Sequence, residues 1–315
     1  MNDFIDLEYC CNFIKNAEDV LILCHKSPDG DTIGSAFGLK GLLILMGKQA
    51  KVMCSDEIPK KYAYFTEKIV GSEDFEPKTI ISVDVADAKL LGKFSDISSN
   101  IDLSIDHHKT HNPFAKKIFL NSNAPAAAEI IFDISDKMNI KLDKNSANAL
   151  FTGICTDTGG FRYEGTSPHT HIVAAKLMEF GAESSEINKR MFASNSRGKL
   201  ELEMRVLKNM MYSFNGKCAM TAILLKDLEE SGAKAEETEG IAAIPNTIEG
   251  VEIGITLKEK EDGFKVSVRT SRYVNAADFC GEFGGGGHTR AAGCFIAGTY
   301  EETVDKLLQK AEEYL

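Results

Sequence analysis

Three short apolar runs in this chain end in the same way. Residues 20–24, 79–83 and 101–105 each read as a buried strand, and each passes directly into ligand-type side chains: His25, Asp84, and Asp106-His107-His108. Runs this short, rich in β-branched and aliphatic residues, suit strands inside a sheet rather than helices. Helical patterns separate them, over residues 32–47 before the second run and over 126–139 and 145–158 after the third. Strands alternating with helices indicate the α/β class, with a doubly wound, mostly parallel sheet. In such sheets ligands bind just beyond the carboxyl ends of the strands, where these polar residues fall.

The first run opens a loop, His25-Lys26-Ser27-Pro28-Asp29-Gly30-Asp31, in which Pro28 and Gly30 mark a turn. The following helix carries Gly34, Gly38 and Gly41, which weaken its propensity and suggest close packing on the sheet. Asp87, shortly after Asp84, reads more readily as a helix N-cap than as a ligand. The helix over 145–158 delivers Asp157 just before Gly159-Gly160-Phe161-Arg162. Residues 3–16 read as an amphipathic helix rather than a signal peptide, and 168–181 and 184–212 as further helices.

A chain of 315 residues implies two domains. The reading places the chemistry in residues 1–185, a helical linker in 186–211, and a smaller α+β domain in 212–315. In that second domain a strand near 218–225 precedes a pair over 251–258 and 263–270. A short helix over 275–283, the run Gly284-Gly285-Gly286-Gly287-His288 and a closing helix from Tyr300 follow. The glycine run lacks the Lys-Ser/Thr of a P-loop and the spacing of a dinucleotide fingerprint. It reads either as a plain loop or as backbone that approaches an anion closely. Arg269 and Arg272 just before it suit a phosphate or a base plane, although each alone is an ordinary surface charge.

With 36 basic against 47 acidic residues, the net charge is −11. That argues against gripping long nucleic acid, which needs many phosphate contacts from Lys and Arg. It leaves room for a short anionic substrate if bound cations supply local positive charge. No apolar run is long enough to cross a bilayer. The eight cysteines include no Cys-x-x-Cys pair. Cys24, Cys54, Cys155 and Cys294 lie in apolar or glycine-rich runs, as reduced, buried thiols of a cytoplasmic protein would.

His25, Asp29, Asp31, Asp84, His107 and Asp157 are nitrogen and oxygen donors with no thiolate among them. They suit Mn²⁺, Mg²⁺, Fe²⁺ or Co²⁺ better than a closed structural zinc site. Six donors favour two ions over one, with Asp84 the candidate to be shared at a separation of about 3.5–4 Å. Two cations so spaced suit in-line displacement at phosphorus. Strand-end caps and turn residues are the alternative, which requires four independent coincidences of Asp or His at element ends.

These residues, in this order, resemble the DHH phosphoesterase superfamily. More narrowly the chain is similar to its two-domain branch with a C-terminal DHH-associated domain, the oligoribonucleases and pAp-phosphatases (nanoRNases). The carriers are His25-x-x-x-Asp29-x-Asp31, Asp84, Asp106-His107-His108, Asp157 with Gly159-Gly160-Phe161, and Gly284-Gly285-Gly286-Gly287-His288-x-x-Ala291-Ala292-Gly293. The resemblance implies that His25, Asp29 and Asp84 hold one ion, and Asp31, Asp84, His107 and Asp157 the other, Mn²⁺ being the implied metal. It makes Asp84, Asp106 and His108 the catalytic group, with Asp106 orienting a histidine and His108 meeting the scissile phosphate or the leaving oxygen. It assigns substrate contacts to Arg162, Arg269, Arg272, Gly285, Gly286, Gly287 and His288. Two departures stand out: Ala126-Ala127-Ala128-Glu129 where relatives carry hydroxyl side chains, and Thr289-Arg290 after the glycine run.

The expected activity is therefore hydrolysis of short oligoribonucleotides to mononucleotides, together with dephosphorylation of 3′-phosphoadenosine 5′-phosphate. Cyclic di-AMP or pApA hydrolysis is the alternative within the same chemistry. A single-strand DNA exonuclease fits less well, since the chain is short and acidic. A nucleotide sensor without catalysis would require a lost ligand, and no ligand position is substituted. The expected partners are short RNA or a small nucleotide, with no long nucleic acid and no membrane; a homodimer is one arrangement the reading allows.

Overall fold

In strand β2 (Val20–Leu23), Val20 and Ile22 enter one apolar core while Leu21 and Leu23 enter another, so the strand is covered on both faces. The computed structural model, which describes residues 3–238 and 240–315, shows how the chain achieves this. It divides into two units, the first ending at Ser194 and the second beginning at Asn195.

The first unit is built on β1 (Asp3–Phe4), β2, β3 (Ala50–Met53), β4 (Thr79–Val83), β5 (Leu103–Asp106) and β6 (Lys117–Leu120). These form a sheet of order β1-β6-β5-β4-β2-β3 in which every neighbouring pair is parallel. Helices α1 (Leu7–Asn16), α2 (Gly30–Leu45), α3 (Ala63–Thr66), α4 (Ala127–Lys137), α5 (Lys144–Asp157), α6 (Pro168–Glu179) and α7 (Ser184–Asn188) complete it. All seven feed the larger core, which includes Ile14, Leu39, Phe65, Ile130, Leu150, Leu177 and Ile187. The opposite face is closed by Leu91, with Phe94 and Ile97 packed against it, from the 3₁₀ segment Ala88–Asn100. The doubly wound parallel sheet read from the sequence is the observed fold.

Several details differ from that reading. The helix expected over 3–16 starts only at Leu7, because Asp6 caps it by accepting from the Tyr9 amide at 2.8 Å. Asp3 and Phe4 instead pair with Lys117 and Ile118 of β6. Strand β6 carries lysine at its start and follows a polar stretch, so its sequence gave no continuous apolar signal. The glycines of α2 pack on α5, not on the sheet. A Cβ added at Gly34 would lie 2.4 Å from the Ala149 carbonyl oxygen, and one at Gly38 would lie 2.2 Å from Leu150 Cδ2. Their roughly 1 kcal/mol propensity cost each is offset by this close helix–helix approach. Asp87 is a cap, accepting from the Lys89 amide at 2.8 Å.

The continuous helix expected over 184–212 is broken. After α7 comes a π-helical turn, Lys189–Ala193, then extended backbone at Ser194 and Ser196. Ser196 caps α8 (Arg197–Lys208) by accepting from the Lys199 amide, and α8 belongs to the second unit. A polar Ser-Asn-Ser sequence offers side-chain partners to free amides and so ends one helix and starts another.

The second unit has a mixed sheet of order β11-β12-β10-β9-β8-β7. Its strands are β7 (Met211–Ser213), β8 (Cys218–Ile223), β9 (Ile253–Lys260), β10 (Gly263–Thr270), β11 (Gly286–His288) and β12 (Ala291–Ala297). Helices α9 (Leu225–Ser231), α10 (Ala276–Gly281) and α11 (Tyr300–Tyr314) complete it. Phe279 of α10 and Leu307 of α11 are fully buried in its core with Ile255 and Val266. Half of the glycine run is therefore a strand. Gly286, Gly287 and His288 pair antiparallel with Gly293, Ala292 and Ala291.

Candidate metal centre and substrate-binding residues

Strands β5, β4 and β2 are adjacent and parallel, so their carboxyl ends share one edge of the sheet. That edge presents His25, Asp84, Asp106, His107 and His108. Asp29 and Asp31 arrive there because Asp29 caps α2, accepting from the Asp31 and Thr32 amides at 3.0 Å each. Two acidic residues at a helix N-terminus are stabilised by the helix dipole. Asp157 is the last residue of α5. The cavity of about 270 Å³ at this edge is lined by His25, Lys26, Asp29, Asp84, Leu90, His107, His108 and Asp157.

Asp84 is the centre of this group. It is 2 % exposed, and its backbone is left-handed, with φ of 57°. Its Oδ2 lies 3.6 Å from His25 Nε2, which is also 3.6 Å from Asp29 Oδ1. Its Oδ1 lies 3.4 Å from His107 Nε2, which in turn is 3.7 Å from Asp31 Oδ2 and 3.5 Å from Asp157 Oδ2. The two oxygens of one carboxylate thus face two separate histidine–carboxylate sets. These separations exceed hydrogen-bond contact, and buried Asp84 Oδ1 has no hydrogen-bond partner.

The histidines are held by their far nitrogens. His25 Nδ1 donates to the Lys26 carbonyl (2.8 Å), and His107 Nδ1 to the Ala124 carbonyl (3.2 Å). A carbonyl only accepts, so the proton sits on Nδ1 and Nε2 is turned into the cluster. Asp31 is oriented by the N-terminus of α4, accepting from the Ala127 and Ala128 amides at 2.6 and 2.9 Å. The hydroxyl side chains missing at residues 126–128 are thus not needed to hold Asp31; backbone amides do so.

The electrostatics are those of a carboxylate cluster short of positive charge. Burial and the neighbouring Asp84 push Asp157 up to about 7, and burial with Asp84 and Asp157 raises Asp31 well above the ordinary range. Burial opposes charge on His25, but Asp29 and Asp84 outweigh it and raise its pKa to about 11. Burial is likewise outweighed at His107, which Asp84, Asp31 and Asp157 raise to about 10. Burial also works against the Asp84 carboxylate, yet the His107 and His25 imidazoles hold it below the usual range. Divalent cations fit such a site: the donors are imidazole nitrogen and carboxylate oxygen, they converge in three overlapping groups (His25, Asp29 and Asp84; Asp84, His107 and His108; Asp31, His107 and Asp157), and one buried oxygen is unpartnered.

Asp106 stands beside the cluster, fully buried. Its Oδ1 accepts from the His107 amide (2.8 Å), the His108 amide (3.3 Å) and His108 Nδ1 (2.8 Å). Burial disfavours its charge, but His108 and His111 outweigh that and lower it to about 2. His111 Nδ1 donates to the other oxygen at 2.5 Å. The sequence reading missed His111; its three-residue spacing from His108 was the available signal.

The other expected substrate contacts are placed individually. Exposed Arg162 donates from Nε to the Gly159 carbonyl at 2.5 Å, with its guanidinium 5.9 Å from the Phe192 ring centre. Arg269 on β10 is half-buried and donates to the Val268 carbonyl at 3.1 Å, while Arg272 is exposed just past the strand. Gly285, Gly286, Gly287 and His288 are all exposed. Two of the glycines are dictated by packing on β12: a Cβ at Gly285 would lie 2.3 Å from the Gly293 carbonyl oxygen, and one at Gly287 2.6 Å from that of Ala291. Gly286 has open space where a Cβ would stand.

Glu252 and Arg290 brace the loop that carries Arg272. Buried Glu252 accepts from the Arg272, Tyr273 and Val274 amides at 2.8–3.1 Å. Arg290 donates to the Val274 carbonyl at 2.8 Å and also to that of Arg272. The departure at Arg290 thus has a visible role in bracing. Glu252, also missed, was recognisable as a lone acid between Val251 and Ile253.

The sequence matches the model of the DHH family, N-terminal domain, over residues 19–154, and that of the DHHA1 domain over residues 215–315. The chain carries a DHH domain and a DHHA1 domain. This DHH protein is 28% identical to the bifunctional oligoribonuclease and PAP phosphatase NrnA of Thermus thermophilus, over 94% of this chain and 90% of the relative. It is 26% identical to the exopolyphosphatase-related protein of Bacteroides fragilis, whose crystal structure superposes with a TM-score of 0.88 over 98% of this chain and 96% of that one. The crystal structure of exonuclease RecJ bound to manganese, 11% identical, shares the fold with a TM-score of 0.53, over 98% of this chain and 94% of that one. The DHHA1 domain sets this DHH protein's second unit, and its glycine-rich hairpin falls inside the matched region.

Proposed function

We propose that this protein is a phosphoesterase dependent on two divalent cations, which hydrolyses short oligoribonucleotides to mononucleotides and removes a phosphate from 3′-phosphoadenosine 5′-phosphate. The observation that carries this reading is Asp84, whose two oxygens face separate histidine–carboxylate sets. His25, Asp29 and Asp84 would hold one cation, and Asp31, Asp84, His107 and Asp157 the other. Manganese is the proposed metal, in keeping with the donor set and with the manganese-bound relative. The bound pair would supply positive charge to phosphoryl oxygens and lower the pKa of the attacking water.

The chain's own residues would do the rest. His108 donates a hydrogen bond from Nδ1–H to Asp106, so its Nε2 is left to meet a phosphoryl or leaving oxygen. In the second unit Arg269, Arg272, His288 and the open backbone at Gly286 would bind the terminal phosphate and base, with Arg162 a further contact from the first unit. The named activity of the Thermus thermophilus relative supports the substrate class. The acidic balance of the chain agrees with a short substrate rather than a long one.

The test is hydrolysis of RNA two to about five nucleotides long, of pApA and of 3′-phosphoadenosine 5′-phosphate, with and without Mn²⁺. Metal-dependent cleavage that is strongest on the shortest RNAs is expected. Cleavage confined to pApA or cyclic di-AMP would make the protein a dinucleotide phosphodiesterase. Binding without turnover in any divalent metal would leave only a sensor.

A further inference from the structure

Asp106 carries two imidazoles, one on each oxygen. His108 Nδ1 donates to Oδ1 and His111 Nδ1 to Oδ2. His111 also closes the turn that joins them, its amide donating to the His108 carbonyl at 3.1 Å. Its side chain is fully buried and its ring lies 5.6 Å from that of Phe114, so the surroundings fix where its Nδ1 points. Asn112 then ties the segment down, its amide donating to the Ala86 carbonyl at 2.7 Å and its side chain to Asp87 at 2.9 Å.

We infer that His111 is a positioning residue, which fixes the Asp106 carboxylate and through it the Nδ1–H tautomer and ring orientation of His108. A carboxylate held through one oxygen alone can rotate about its Cβ–Cγ bond. Held through both, it offers a single acceptor direction to His108. A histidine whose Nδ1 proton is committed to a carboxylate presents Nε2 as the free nitrogen, and loss of that commitment randomises the tautomer. His108 lines the cavity and is about one-third exposed, so its Nε2 is the nitrogen a substrate oxygen meets. His111 itself neither lines the cavity nor belongs to any of the candidate ligand groups. The inference rests on the proposed phosphoesterase reading for its catalytic consequence, but its structural part stands apart from any substrate.

The test compares H111F, which keeps an aromatic ring beside Phe114 and removes the donor, with H111N, whose side-chain amide restores one. Long-range ¹H–¹⁵N spectra of the full-length, Mg²⁺-loaded protein report the tautomer of His108. Wild type shows the Nδ1–H form; H111F shows a mixture, and H111N returns to the wild-type pattern. In kinetics on a dinucleotide with Mn²⁺, kcat of H111F falls by about 10–100-fold, as when outer hydrogen-bond partners of active-site histidines are lost. KM and Mn²⁺ affinity stay within about twofold, which separates positioning from general disruption of the site. An unchanged His108 tautomer in H111F overturns the inference. If H111F does not fold, H111L, which also removes the donor, takes its place: an unchanged Nδ1–H form refutes the inference and a mixture supports it. Should no substrate be turned over even by wild type, the function is refuted while the tautomer still tests His111.

Discussion

Asp84 Oδ1 lies 3.4 Å from His107 Nε2 at the buried end of β4, while the other oxygen of the same carboxylate lies 3.6 Å from His25 Nε2. Among the described residues, no other carboxylate belongs to more than one of the candidate ligand groups. Asp84→Asn is therefore expected to cost far more activity than the about 100-fold typical of outer hydrogen-bond partners. Asparagine is chosen because residue 84 is left-handed, a conformation Asn tolerates better than alanine. Circular dichroism should remain native while metal-dependent turnover disappears; residual turnover above about one-hundredth of wild type contradicts the shared role.

Cation binding should release protons. In the metal-free protein His25 and His107 have pKa values of about 11 and 10, so both are charged at pH 7, whereas a metal ligand must be neutral imidazole. Asp157, at about 7, is half-protonated there and adds to the release. Since protons compete with the cation, affinity should fall as pH is lowered. Calorimetric titration with Mn²⁺ in buffers of different ionisation enthalpy measures the number released, and a value near zero would show the site already deprotonated.

The glycine hairpin separates packing from binding. Gly286→Ala adds a methyl group into open space and should leave stability unchanged, while raising KM if backbone there meets the substrate. Gly287→Ala should instead lower the melting temperature, because φ is 152° and the new Cβ would strike β12. Equal KM values for wild type and Gly286→Ala would remove that backbone from the binding site.

Gly34→Ala tests the contact between α2 and α5. Helix propensity favours alanine by about 1 kcal/mol, but the new Cβ would meet the Ala149 carbonyl oxygen and the Gly153 backbone. Overpacking against main chain costs about 1–3 kcal/mol and should win. Chemical denaturation is expected to show net destabilisation; a stabilised variant would mean that α5 shifts freely.

Much of this protein was legible in its sequence because its information is local. Apolar runs ending in His25, Asp84 and Asp106-His107-His108 specify parallel strands with donors at one edge, and Asp157 marks the end of a helix. What the sequence could not rank were residues whose role depends on distant partners. His111 looked like one more polar residue in a turn until it met Asp106. Arg290 stood out only as a departure after the glycine run until its guanidinium reached the carbonyls of residues 272 and 274. Gly34 and Gly38 signalled close packing, but only the fold showed that the neighbour is α5.

The sequence by itself determined the α/β class, the strands that carry the donors and the chemical type of those donors, since side-chain periodicity and donor chemistry are properties of short segments. Tertiary structure decided which donors share Asp84, which histidine nitrogen faces the cluster, and how both oxygens of Asp106 are used. Those depend on hydrogen bonds between residues brought together only when parallel strands align their ends: His107 to Ala124, Asp31 to Ala127 and Ala128.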